Sequence, residues 1–512
     1  MRRIAAALLC LLLLTGCSQE IVEPEENSLD EFFQAQQEQP EEDPGPDYPA
    51  AFSLAYHKDH TLDPITCGEG IQQDVASLLF EPLFRLDSSF SPVPLLCEGY
   101  SWDESYLVLT LDLRQGVTFS DGTELKASDV VASLNRAAAS ERYGYRLRNV
   151  VSISSNRSGQ VVITLAAPNS GFVSLLDIPI TKRGTENQPV PTGTGPYLFV
   201  TGSAGNSLVA NDAWWQGKAL PVQTIPLIHA KDQDTAMYLF SSHRAELLTV
   251  DPTANQVAAT GQVESTNIPT SVMQFVGFNT AEGRVFASTA ARVAFSAGLQ
   301  RDKLVDAFLS GHAEAAQFPI SPLSELYPAD LEQPYSYESL LSALSAAGQD
   351  TGETVPLKLL VNEENSFRVA NAQFIAESMS LLDWQITVQV LPWEEYLEAL
   401  TAGDFDLYYG EVRLTADWDL TDLIGTGGAM NYGGYANGIT DLLLLNWSSA
   451  SDRQASARQL CSYLRANAPI APLCFKSNTV LTHTGVVEGL APAPSATFYA
   501  LEDWVIHLDS EP

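Results

Sequence analysis

The chain has 512 residues, 45% of them hydrophobic, enough apolar content for two or three packed domains rather than one core. Its 63 acidic against 27 basic residues leave a formal net charge of -36 at pH 7. So acidic a surface repels polyanions, which excludes nucleic acid as a partner and does not suit an anionic membrane face.

At the start of the chain Arg2 and Arg3 precede an apolar run, Ile4 to Leu14, that is too short to span a bilayer and reads as a secretion signal. Leu14-Thr15-Gly16-Cys17 resembles the lipobox of bacterial lipoproteins. The resemblance implies that residues 1–16 are removed and that Cys17 is acylated, anchoring the chain to the outer side of the cell membrane. The competing reading of these residues is an ordinary signal with a chance cysteine. Residues 17–47 read as an acidic disordered tether: no Lys or Arg occurs from Ser18 to His57, and eleven carboxylates lie within residues 20–47. Such a segment either spaces the folded body from the membrane, because like charges stretch it, or is a solvated tail.

With Cys10 lost in the signal and Cys17 lipidated, Cys67, Cys97, Cys461 and Cys474 remain. Disulfides are permitted outside the cytoplasm, and the pairings nearest in sequence are Cys67 with Cys97 and Cys461 with Cys474, among three possible connectivities. No Cys-x-x-Cys occurs to suggest zinc.

In chain order, FSLAYHKD reads as a strand, Leu62-Asp63-Pro64 as a turn, and Gln72 to Phe80 as a helix with Val75, Leu78 and Leu79 at helical spacing. Tyr106 to Leu113 alternates apolar and polar residues, as a half-buried strand does. In RQGVTFSDGTELKASDVVASLNRA a short strand, an Asp121-Gly122 turn and a helix from about Ala127 follow one another. TGTGPY, with Gly193 and Gly195, is followed by the strand Tyr197 to Val200, with neither helix nor lysine, so it is not a phosphate loop. Residues 357–412 alternate strand and helix as LKLLVN, FRVANAQFIAESMSLL, QITVQVL, WEEYLEALTA and FDLYYGEV, which predicts parallel strands with right-handed crossovers. Ligands of such sheets bind beyond the carboxyl ends of strands, where RLTADWDLTD lies.

Several of these segments together resemble the family-5 extracytoplasmic solute-binding proteins, the oligopeptide and dipeptide receptors of ABC importers. The segments are Phe84-Arg85-Leu86-Asp87 with the following prolines and Trp102, Leu111 to Arg136, Pro191 to Phe199, Asn211 to Lys218, Ala291 to Arg301 and Ala370 to Phe405. The resemblance implies an α/β, two-lobed periplasmic-binding-protein type II (Venus-flytrap) fold with an extra subdomain in the first lobe. Residues 48–270 and 478–512 would form the first lobe, with the subdomain at about 66–190, and 271–477 the second. It implies that the GTGPY turn starts a strand returning to the first lobe, with positive φ and close packing at its glycines. Two departures stand in the signature segment: Ser120 where the family has His, and Lys126 where it has a capping Thr, with Ser128 or Asp129 as substitute caps.

In peptide-binding relatives an Asp after the last of these strands holds the ligand ammonium, and that residue matches Asp417. The chain is slightly longer before it, and the usual Gly-Trp is replaced by Arg413 and Leu414. Glu411, Arg413, Asp417 and Asp419 thus share one short segment, in which Arg and Asp either bind the two ends of a zwitterion or pair with each other. Trp393, Trp418 and Tyr432 are candidate apolar walls, or packing residues. His57 and His60 are the one histidine pair with metal-like proximity, with no ligand cluster beside them, so neither a metal nor a cofactor is expected. No G-x-S-x-G, H-E-x-x-H or P-loop lysine occurs, and no enzymatic activity is expected. The reading is a monomeric lipoprotein that captures a small solute, foremost a short peptide, for an ABC permease and its ATPase. The alternatives are a metal chelate or sugar as cargo, a surface signalling receptor, and, behind these, a secreted hydrolase.

Overall fold

The computed structural model describes residues 48–509 except 69, 204, 254–261, 347, 349–353 and 381–383; the signal, the Cys17 lipobox and the acidic tether lie outside the described residues. The strands in chain order are β1 (Leu54–Tyr56), β2 (Phe84–Leu86), β3 (Pro92–Pro94), β4 (Cys97–Trp102), β5 (Val108–Leu113), β6 (Val150–Ser155), β7 (Val161–Leu165), β8 (Tyr197–Gly202), β9 (Gly205–Ala210), β10 (Thr224–His229), β11 (Leu247–Val250), β12 (Val263–Phe278), β13 (Ala313–Ala315), β14 (Val355–Asn362), β15 (Trp384–Leu391), β16 (Leu407–Arg413) and β17 (Ile470–His483). One large sheet runs β15-β14-β16-β12-β17-β11-β1-β10-β9-β8, with β13 attached to β17, and a separate antiparallel sheet runs β4-β5-β7-β6.

The period-2 pattern of β5 buries Leu109, Leu111 and Leu113 on one face, against the helix Ala127–Ala138. That helix starts without a side-chain cap at Lys126. Asp129 compensates, one carboxylate oxygen accepting from the Lys126 N–H at 2.9 Å and the other from the Arg183 N–H at 3.0 Å. In the α/β stretch, β14 pairs in parallel with both β15 and β16, and the helices Ser366–Met379 and Trp393–Ala402 supply the crossovers. Asn365 caps the first of these helices by accepting from the Arg368 N–H, and Gly403, at φ 69°, ends the second.

The longest strands, β12 and β17, pair antiparallel with a register break between Pro269 opposite Ser477 and Met273 opposite Phe475, and a second shift between Gln274 and Phe275. On one side of the break β17 also pairs with β11; on the other, β12 pairs with β16 and β17 with β13. The apolar clusters divide in the same way, with residues 52–268 and 480–504 in one set and, Phe90 apart, residues 273–475 in the other.

Gly193 and Gly195 correct one expectation: neither has positive φ. Glycine is required because the turn passes close to another backbone. A Cβ on Gly193 would lie 2.1 Å from the Leu79 carbonyl oxygen, and one on Gly195 2.5 Å from the Leu79 carbonyl carbon. The Gly195 N–H donates to that same oxygen at 3.0 Å. Gly195→Ala should therefore cost at least 2 kcal/mol in urea unfolding, from overpacking against rigid backbone. Gly99→Ala, where nothing lies within 4 Å, should change stability by less than about 1 kcal/mol.

The cysteines correct a second expectation. All four are free and buried, and each belongs to a different apolar cluster, so neither nearest-in-sequence pair is joined. Cys97 Sγ donates instead to the Gly99 and Asp112 carbonyls, and Arg142 donates to the Cys67 carbonyl at 2.6 Å. Burial raises the thiol pKa of Cys97 to about 11 and those of Cys461 and Cys474 to about 12. Alkylation without reductant should label all four in denaturant and leave them unlabelled in the native protein.

Candidate functional site

The loop leaving β16 is tied to β12 at once: the Leu414 N–H donates to the Ser271 carbonyl at 3.0 Å, and Ser271 Oγ donates to the Leu414 carbonyl at 2.5 Å. Four residues on, the loop turns sharply through Trp418, at φ 57°, a left-handed conformation costing roughly 1–2 kcal/mol for a residue other than glycine. Packing compensates, because the indole is buried between Phe90, at 5.1 Å, and Phe475, at 5.7 Å. The turn presents Asp417, which is 5% exposed. Its Oδ2 accepts from Asn169 Nδ2 at 2.7 Å and its backbone carbonyl accepts from Arg453 Nη2 at 2.7 Å, while Oδ1 is buried with no hydrogen-bond partner among the described residues.

Segment 142–177 faces this loop. Tyr145 donates to Asp422 at 2.9 Å, and Arg148 pairs with Asp419 at 2.9 Å and also with Asp422. The Ser170 N–H donates to the Ser448 carbonyl at 2.7 Å. Gly171 seats the guanidinium of Arg453, which lies 4.1 Å over the Trp447 ring, and a Cβ there would fall 1.7 Å from Arg453 Nη1. Two cavities lie in this junction and share Tyr145, Arg146 and Thr415. One, of about 550 Å³, is lined by Asn169, Asp417 and Asp419; the other, of about 300 Å³, is lined by Asp74, Thr270 and Arg413 at the register break of β12 and β17. Arg146 stands where they meet, ion-paired with Asp177, and burial holds its guanidinium below the ordinary arginine pKa.

Residues 91–426 match the profile of the bacterial extracellular solute-binding proteins, family 5 (middle region). The chain belongs to this family. It is an extracytoplasmic solute-binding protein of the kind that serves ABC importers, with the type II periplasmic-binding-protein fold. It is 23% identical over 475 residues to the oligopeptide-binding protein AppA of Bacillus subtilis, covering 84% of this chain and 87% of AppA. The structure of AppA in complex with a nonapeptide superposes with a TM-score of 0.60 at 21% identity, covering 90% of this chain and all of the other. HbpA2 from Haemophilus parasuis does so with a TM-score of 0.75 at 19% identity, over 90% of this chain and 100% of that one. Among the described residues no helix is long and apolar enough to cross a membrane.

Of the residues the sequence nominated in this family member, Asp417, Arg413 and Asp419 line the cavities. Glu411 does not; it is tied to Arg368 at 2.5 Å, Gln274 Nε2 at 2.9 Å and Lys476 at 3.5 Å. Trp393, Trp418 and Tyr432 line neither cavity. Trp393 is 49% exposed and stacks on Tyr396, Trp418 is a packed core residue, and Tyr432 sits edge-on to Tyr408. His57 and His60 stack on each other at 3.6 Å with His229 edge-on. Asn169, Arg146, Arg453 and Asp74 were not legible as site residues, since their roles arise only from contacts far away in sequence; Asn169 and Asp417 are 248 positions apart.

Asp74 accepts from Thr497 Oγ1 at 2.7 Å, and burial pushes its carboxyl up to about 6. A carboxyl with a folded-state pKa above its unfolded value binds extra protons in the native state. Its contribution is therefore present at low pH and is lost as pH rises from 3.8 to about 6. Asp74→Asn should gain stability over the wild type across that window, by about 2 kcal/mol or less, read as the difference in urea midpoint at the two ends.

Proposed function

We propose that this protein is a lipid-anchored receptor that closes over a short peptide between segments 142–177 and 413–448 and presents it to an ABC permease. Asp417 carries the reading: a buried carboxylate on the wall of a cavity of about 550 Å³, with one oxygen held by Asn169 and the other without a hydrogen-bond donor among the described residues. A buried acceptor left unpaired costs about 1–3 kcal/mol, and a peptide ammonium supplies both the missing hydrogen bond and the opposite charge. Arg413, on the adjoining cavity, offers the peptide carboxylate a bidentate partner. Asp419, engaged with Arg148, shapes the wall, and Glu411, engaged with Arg368, lies behind it. The kinship with oligopeptide-binding AppA supports a peptide as cargo.

In this reading residues 48–270 and 478–512 form the first lobe, with residues 66–190 inserted, and residues 271–477 form the second. Closure is a hinge motion, and binding shifts the equilibrium toward the form that docks on the permease. Residues 1–16 are removed, Cys17 carries the lipid, and residues 17–47 tether a monomer that performs no chemistry and relies on ATP hydrolysed by its transporter.

Isothermal titration with a short peptide should give binding that Asp417→Asn weakens by about 1–3 kcal/mol. N-acetylating the peptide should weaken wild-type binding by a similar amount and leave the variant's binding nearly unchanged, because both changes remove the same contact. Equal losses from acetylation in the two proteins would move the ammonium site elsewhere.

A further inference from the structure

Away from the cleft, three potential ligands converge where the helix Gln233–Ser241 passes into β11. His243, Glu246 and His483 each offer a donor atom, and these atoms all lie within 4.8 Å of one another. His243 stands in the turn after the helix, at φ 53°; Glu246 immediately precedes β11, its N–H donating to the Ser53 carbonyl at 2.9 Å; and His483 is the last residue of β17. The His243 and His483 rings stack at 3.9 Å, with Phe240 on His483 at 4.4 Å.

Polar satisfaction gives a second, independent observation. Glu246 is 2% exposed and His483 5% exposed, yet among the described residues Glu246 Oε2 and His483 Nε2 have no hydrogen-bond partner, and they face each other at 3.7 Å. Buried polar atoms are nearly always paired, so two orphans facing each other mark a place where something bridges them. A neutral imidazole and a carboxylate are the forms that bind a metal.

We propose that His243, Glu246 and His483 bind a divalent transition metal of the zinc type. Two imidazole nitrogens and one carboxylate oxygen suit zinc, and three protein ligands leave a fourth position for water. Ligand atoms around tetrahedral zinc lie roughly 3.3 Å apart, so the triad must contract slightly. His243, the exposed member, is the ligand able to swing inward and opens the path from solvent. The metal would join the turn after the helix, the start of β11 and the end of β17, bracing the strand that runs through both parts of the fold. This displaces the expectation of no resident metal, and it does not depend on the peptide reading.

Cobalt(II), titrated into the chelator-treated full chain, is the probe. One equivalent should bind with the visible d–d absorption of a tetrahedral site, and zinc should displace it. Because His243 is exposed, His243→Ala should fold normally by circular dichroism and bind at least tenfold more weakly, as should Glu246→Gln; His60→Ala should bind as wild type does. Absence of a stoichiometric site, or binding that survives His243→Ala and is lost in His60→Ala, would overturn the assignment.

Discussion

The structure depends on the interrupted ladder between β12 and β17. Antiparallel strands of 16 and 14 residues would normally form one stiff ribbon. Here the register breaks between Pro269 and Met273, where proline can donate no ladder hydrogen bond and Thr270 Oγ1 donates instead to the Lys476 carbonyl at 2.6 Å. Different strands pair on the two sides of the break, and the smaller cavity opens at it. The residues that let the sheet bend are therefore also part of the wall that a ligand would touch.

Charge distribution reinforces this geometry. A chain with only 27 basic residues places Arg142, Arg146, Arg148, Arg413 and Arg453 around one junction, with Arg142, Arg146, Arg148 and Arg453 opposite carboxylates or backbone carbonyls. Glu411, Arg368, Lys476 and Asp251 form a further ionic chain beside it. Such groups are costly to bury singly and tolerable in networks. The loop bearing Asp417 is thus fixed before any ligand arrives, a precondition for specific recognition.

Much of the fold was legible from periodicity. The alternation in β5, the strand-helix rhythm of residues 357–412 and the helix from Ala127 are local signals, and each appears where the pattern puts it. Gly193 and Gly195 were legible as structural, but their reason was not, because the crowding that demands glycine comes from Leu79, more than a hundred positions away. The same limit explains the cysteines, whose spacing in sequence says nothing about the four separate clusters they occupy. It explains the aromatics as well: Trp393, Trp418 and Tyr432 are alike in composition terms, and only tertiary packing separates the exposed Trp393 from the half-buried Tyr432 and the buried Trp418. Asp417 stood out because its loop follows a strand end in an α/β unit, whereas its partner Asn169 lies in an unrelated stretch.

The edge contact between Phe90 and Trp418 crosses the junction between the two parts of the molecule. Trp418 is 1% exposed, and Phe90 supplies part of that cover. Separating the two faces would wet the indole and shift its emission to longer wavelength, so the protein carries an intrinsic optical gauge of its own conformation. Seen this way, the strained turn at Trp418 does more than aim a carboxylate: it couples the chromophore's surroundings to the state of the cleft.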